Sequence, residues 1–153
     1  MAIAALPPVS SSTLELVELR HKRRESALAQ MVAAAGRLGA VREPMLLLAT
    51  LVRSERLAPS AIGKGVAVPG ARTIGVARPV TLLGRSARGI DWGGSLGPVH
   101  LVMLVLSPSG ALLEMHASRV LGAAHALRLQ RVRQRLMEAD PLQAAALLRA
   151  ELT

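Results

Sequence analysis

Between Arg23 and Leu38, apolar side chains recur at helical spacing: Ala27, Leu28, Met31, Val32, Ala35 and Leu38 fall on one side of a 3.6-residue period. Gly36 and Gly39 mark the end of that helix. Pro44 opens a second helix at a position where its missing N–H costs nothing, and Met45, Leu48, Leu51 and Val52 supply the expected buried stripe. Pro59 ends it. Upstream, Leu14 and Leu16 alternate with Glu15 as in a strand, while Ser12 and Glu15 would also make a helix capping box. Downstream, Val66-Ala67-Val68 is a short β-like run and Pro69-Gly70 a turn signal. Thr73 to Leu83 places Ile74, Val76, Val80 and Leu82 on one parity, with Pro79 demanding an edge or a bulge. A glycine-rich connection from Gly89 to Gly97 carries Asp91 and Trp92. Val99 to Leu106 is apolar on both faces except at His100, the pattern of a central strand covered on both sides.

The C-terminal third reads as helices over Leu112 to Leu127 and Leu129 to Ala139, the latter with Leu129, Val132 and Leu136 inward. A last helix opens at Asp140-Pro141, with Asp140 as N-cap and Gln143 as its capping-box partner. Helices before and after a small mixed sheet predict an α/β domain, a three-layer α/β/α sandwich, over residues 13–153. Residues 1–12, with Pro7, Pro8 and a serine run, read as a flexible N-terminal arm.

Composition narrows the picture. A chain of 153 residues with 51% hydrophobic content fits one core. Phe and Tyr are absent and Trp92 is the sole aromatic, so that core must be aliphatic. There is no Cys, which excludes disulfides and thiolate metal sites. The first residues lack the basic and apolar regions of a signal peptide, and the run at Leu101 to Leu106 is too short to span a bilayer, so a cytoplasmic protein is expected. The net charge of +9 invites an anionic partner, nucleic acid included. The cations are scattered, however, and one aromatic residue makes no stacking platform for single strands.

The stretch Glu55-Arg56-Leu57-Ala58-Pro59-Ser60-Ala61-Ile62-Gly63-Lys64-Gly65-Val66-Ala67-Val68-Pro69-Gly70-Ala71-Arg72 carries more specific information. It resembles the signature of IIA domains of the fructose/mannitol class of bacterial sugar phosphotransferase systems (PTS), which reads approximately RExxGSTGIGxGxAxPHxx. A second block, Ile90-Asp91-Trp92-Gly93 followed by Pro98-Val99-His100-Leu101-Val102 and closed by Ser107-Pro108, is similar to that family in order. His116 falls where relatives often carry a second histidine. The resemblance covers the chain from about Thr13 to the C-terminus and favours the strand reading of Thr13 to Leu19. It implies a histidine that takes a phosphoryl group from the carrier protein HPr and passes it to a IIB partner, or, in nitrogen-regulatory relatives, a phosphorylation-dependent switch on other proteins.

The resemblance also exposes departures. Gly70 stands where the family has its acceptor histidine, and a hydrogen atom accepts no phosphate. Ser54 replaces an arginine, though Arg53 and Arg56 flank it; Pro59-Ser60 replaces a Ser-Thr pair; Ser95 falls near a common aspartate position. These changes predict a non-phosphorylatable, IIA-like regulatory or binding protein, in effect a pseudoenzyme. The alternatives are an active phosphocarrier that uses His116, or an anion- or nucleic-acid-binding protein. Expected partners are proteins: HPr-like, IIB-like or a regulated target. No cofactor is expected.

The candidate anion-binding residues are Ser60, Gly63, Lys64 and Gly65, with Arg56 and Arg72 adding charge, since glycine-rich turns bring backbone N–H groups close to an anion. Of the other histidines, His100 reads as a satisfied strand residue and His21 as solvated. His125 projects about 180° from His116 on an ideal helix. No metal constellation appears. Arg128, Arg131 and Arg135 form a basic stripe read as a solvated face. Trp92 reads as a plug at the edge of the core before it reads as a partner anchor.

Overall fold

A computed structural model describes residues 13–152 of the chain, so the arm expected over residues 1–12 lies outside the described residues. The elements run β1 (Thr13–Glu18), α1 (Arg24–Arg37), α2 (Pro44–Leu57), β2 (Ala61–Gly63), β3 (Val66–Ala67), β4 (Gly70–Thr73), β5 (Val80–Ile90), β6 (Val99–Pro108), α3 (Leu113–Ala126), α4 (Gln130–Glu138) and α5 (Pro141–Leu152). The strands form one mixed sheet in the order β1-β5-β6-β3-β2, with β4 also paired to β6. Strand β1 is parallel to β5, β5 antiparallel to β6, and β3 and β4 both parallel to β6.

Alternation along the central strands builds the three layers. On β6, Val102, Leu104 and Leu106 face one core with Leu28, Met31, Leu47 and Leu51 of α1 and α2. Leu101, Met103 and Val105 face a second core with Ala123 of α3, Val132 and Leu136 of α4, and Ala144 and Leu148 of α5. Both faces of β6 are therefore buried, as its unbroken apolar run requires.

The helix ends follow from their residues. Helix α1 closes in a Schellman motif: Gly39 adopts φ +72, its N–H reaches Gly36 O at 3.0 Å, and Ala40 N–H reaches Ala35 O at 3.2 Å. The box at α5 is formed as expected, with Gln143 N–H donating to Asp140 Oδ1 at 2.8 Å and Asp140 N–H to Gln143 Oε1 at 3.3 Å.

Four local expectations are corrected. Met45 is 82% exposed and Leu47 takes its place in the core, because α2 turns its Leu47–Leu51–Glu55 face inward. The β-rich stretch from Thr73 to Leu83 is broken: β4 ends at Thr73, Ile74 is exposed, and β5 begins only after Pro79. Pro69-Gly70 makes no turn; Gly70 opens β4, opposite Val105. Leu129 is exposed and precedes α4, leaving Val132 and Leu136 to anchor it.

Candidate functional site

Strand β4 lies beside the end of β6, with Gly70 opposite Val105 and Arg72 opposite Ser107. Helix α3 then crosses this edge and sets His116 and Arg119, one helical turn apart, above it. A Cβ added at Gly70 would lie 3.5 Å from His116 Nε2, 3.4 Å from Val120 Cγ2 and 3.2 Å from Val105 O. The imidazole of His116 thus borders the space that a side chain at position 70 would enter.

His116 is held on its other nitrogen. Its Nδ1 lies 2.7 Å from Ser107 Oγ, and Ser107 is buried at 1% exposure. Arg119 donates from Nη1 to the same Oγ at 2.8 Å and to Leu106 O at 2.9 Å, and from Nη2 to Thr81 Oγ1 at 2.8 Å. The arrangement that satisfies all of these groups has the Ser107 hydroxyl accepting from Arg119 and donating to Nδ1. The imidazole proton then sits on Nε2. Burial, then the positive charges of Arg119 and Arg72, hold the His116 pKa below the ordinary histidine value. The ring is neutral at pH 7.

Arg72 belongs to this group. It is exposed, donates to Ser109 O at 2.9 Å and Ala111 O at 3.1 Å, and clasps the turn that leads into α3. The other anion-binding candidates do not join it. Gly63, Lys64 and Gly65 take φ values of +90, +60 and +75 in the tight β2–β3 turn. Gly65 O accepts from His100 N at 2.8 Å, five residues up β6 from Val105, which places the turn about 16 Å from Gly70 along the strand direction. Ser60 is committed elsewhere: its N–H reaches Glu55 Oε2 at 2.9 Å, and its hydroxyl is bonded to Glu55 Oε1. Arg56 is exposed on α2 and acts electrostatically on Glu25 of α1.

Glu55, within the signature stretch, is a buried hub at 2% exposure. Besides Ser60 it receives Trp92 Nε1–H at 3.0 Å. Trp92 is 1% exposed and so plugs the core as expected; its carbonyl is held by Arg24 Nη1 at 2.9 Å. His100 is satisfied, with Nδ1 at 2.8 Å from Ser86 O. His21 and His125 are exposed. Arg128, Arg131 and Arg135 do not form one helix stripe: Arg128 precedes α4, and Arg131 pairs with Glu151 at 3.1 Å. Among the described residues no group of His, Asp and Glu is placed to hold a metal ion.

The sequence reading missed Ser107, Thr81 and Arg119 as members of the His116 group. A signal existed: Ser107 is the lone hydroxyl of β6 and Thr81 lies in the apolar start of β5, and Arg119 sits at i+3 from His116 on a helix.

A mixed sheet between two helical layers, with a histidine at its β4–β6 edge, defines the class. The family described as "Phosphoenolpyruvate-dependent sugar phosphotransferase system, EIIA 2" matches residues 11–118. The chain belongs to that family. It is 31% identical over 126 residues to a nitrogen regulatory protein of Bradyrhizobium diazoefficiens, covering 82% of this chain and 75% of the relative. It is 26% identical over 133 residues to the fructose-specific EIIABC component of Bacillus subtilis; that match takes in 86% of this chain but only 21% of the much longer relative. The fold is similar to that of nitrogen regulatory protein IIA-Ntr from Neisseria meningitidis, with a TM-score of 0.76 at 20% identity over 92% of each chain. It is also similar to enzyme IIAMTL of Escherichia coli in its complex with phosphorylated enzyme IIBMTL, with a TM-score of 0.73 at 19% identity over 90% of this chain and 93% of that one. Among the described residues no helix is long and apolar enough to cross a membrane.

Proposed function

We propose that this chain is a IIA-type domain that carries no phosphoryl group and works by binding a partner protein in the cytoplasm. The observation that carries the reading is Gly70. At the position to which the family resemblance assigns the acceptor histidine there is no nucleophile, and the space beside it is bordered by His116. Phosphoryl transfer to nitrogen needs a free ring lone pair aimed at the donor. In the satisfied arrangement His116 offers none: Nδ1 accepts from Ser107 and Nε2 bears the proton. Burial and two nearby guanidinium groups hold the ring neutral, and the Ser107 hydroxyl on Nδ1 leaves it a hydrogen-bond donor at Nε2.

The partner is a IIB-like or HPr-like protein, or a target regulated as by the nitrogen-regulatory relatives. The relative seen in complex with phosphorylated enzyme IIBMTL supports the first choice, and the Bradyrhizobium nitrogen regulatory protein the last. In either case the domain would present permanently the surface of an unphosphorylated IIA.

One observation favours a second reading, that His116 itself accepts phosphate: its Nε2 is the ring nitrogen that meets the Gly70 position. Incubation with phosphoenolpyruvate, enzyme I and HPr, followed by intact mass, separates the two. The proposed function expects no added phosphoryl group on the native chain. Labelling that disappears in His116→Ala would establish the second reading instead.

A further inference from the structure

A cavity of about 490 Å³ opens between the start of α3 and the end of β6. That volume lies within the range of small-molecule sites. Pro79, Leu112 and Met115 give it an apolar wall, and Ser107, His116 and Arg119 its polar part. Glu114 also borders it.

Arg119 is the unusual member. A guanidinium has five N–H groups. Arg119 uses three of them: two on Nη1, to Leu106 O and Ser107 Oγ, and one on Nη2, to Thr81 Oγ1. All three acceptors are neutral, and no ion pair among the described residues includes Arg119. Its Nε is buried and has no partner. One N–H on Nε and one on Nη2 are therefore left unused, so the guanidinium keeps donor capacity for an anion in the cavity that it lines. A cation removed from water without a counter-charge is costly, and an anion brought into the cavity would remove that cost.

The surroundings restrict the anion. His116 is neutral and adds no second full charge. The Glu114 carboxylate at the border repels a second negative charge, while the apolar wall offers nothing to a small hydrated ion. We propose that this cavity binds a small monocarboxylate with an apolar body, its carboxylate on the Arg119 guanidinium and its chain against Pro79, Leu112 and Met115. This holds whether or not the domain accepts phosphate.

Calorimetric titration of the full chain with hexanoate, hexanol and inorganic phosphate tests the site. Two variants accompany the native protein, Arg119→Met and Leu112→Asp. Leu112 is 60% exposed and is the N-cap of α3 with no side-chain cap bond, so aspartate there disturbs no core and supplies a good cap. Hexanoate is expected to bind the native chain at least about tenfold tighter than hexanol, a charge-assisted pair being worth that much. Arg119→Met should lose that advantage, and Leu112→Asp should lose hexanoate while staying folded. If Arg119→Met does not fold, Leu112→Asp decides. No heat with hexanoate, equal affinity for hexanol, tighter binding of inorganic phosphate, or unchanged hexanoate binding by Leu112→Asp would each overturn the proposal.

Discussion

Glu55→Ala is the substitution whose effect follows most directly from the packing. The Glu55 carboxylate takes Trp92 Nε1–H at 3.0 Å and Ser60 N–H at 2.9 Å on Oε2, and the Ser60 hydroxyl on Oε1. Truncation leaves a buried indole N–H and a half-buried amide without acceptors. Each unmet donor costs about 1–3 kcal/mol, and the lost side-chain packing adds about 1 kcal/mol. The expected loss is about 3–7 kcal/mol, a large share of the roughly 5–15 kcal/mol that holds a domain of this size. Glu55→Gln should behave differently. Its amide oxygen can replace Oε2, and its NH₂ can donate to Ser60, whose hydroxyl accepts as readily as it donates. That variant should stay within about 1 kcal/mol of the native chain. Urea unfolding followed by fluorescence reads both effects, because Trp92 is the sole aromatic residue and is buried against Glu55. For Glu55→Ala the midpoint should fall by about 2 M at constant slope. Equal losses in the two variants would show that the charge of Glu55, rather than its acceptors, holds the hub, and would refute the reasoning.

Three further outcomes are expected. Gly84→Val should cost about 1–3 kcal/mol by overpacking, since a Cβ there would lie 2.6 Å from Leu19 Cδ1 and 3.0 Å from Met31 Sδ; thermal unfolding checks it. Asp140→Ala should cost about 1 kcal/mol by removing the α5 cap, read as a lower urea midpoint. Folded His116 has a lowered pKa, so the unfolded chain binds its proton first as pH drops. Stability attributable to His116 is therefore full above the unfolded value of 6.5 and declines as pH falls below it; a urea midpoint series in His116→Gln should show a shallower acid decline than the native chain.

Much of the fold was legible because its elements are punctuated by residues with mechanical reasons to be there. Pro44, Gly39 and the Asp140–Gln143 pair each set a helix end where expected. The doubly buried β6 could be read from its lack of alternation. The rotation of α2 could not: Met45 and Leu47 are equally apolar, and only packing beside α1 and β4 makes Leu47 the inward one. The break at residues 74–79 was misread because Ile74 and Val76 continue a strand parity while the chain is already turning. For the candidate site, the resemblance and the glycine-rich turn grouped Arg56, Ser60, Gly63, Lys64, Gly65 and Arg72 as one anion-binding set, whereas the parallel register along β6 carries Gly65 to the level of His100 and Gly70 to that of Val105. The polar set around His116 is assembled from β5, β6 and α3, and no local window contains it.

The central claim concerns position 70. The measurement is the intact mass of the native chain and of Gly70→His after incubation with phosphoenolpyruvate, enzyme I and HPr, each with a His116→Ala counterpart. Gly70 is in a strand conformation open to histidine, and Val105 O, 3.2 Å from an added Cβ, must give by a few tenths of an ångström to admit it. The account predicts no phosphoryl group on the native chain and a single added phosphoryl group on Gly70→His. A native chain that gains phosphate, and loses it with His116→Ala, would contradict the account and make His116 the acceptor.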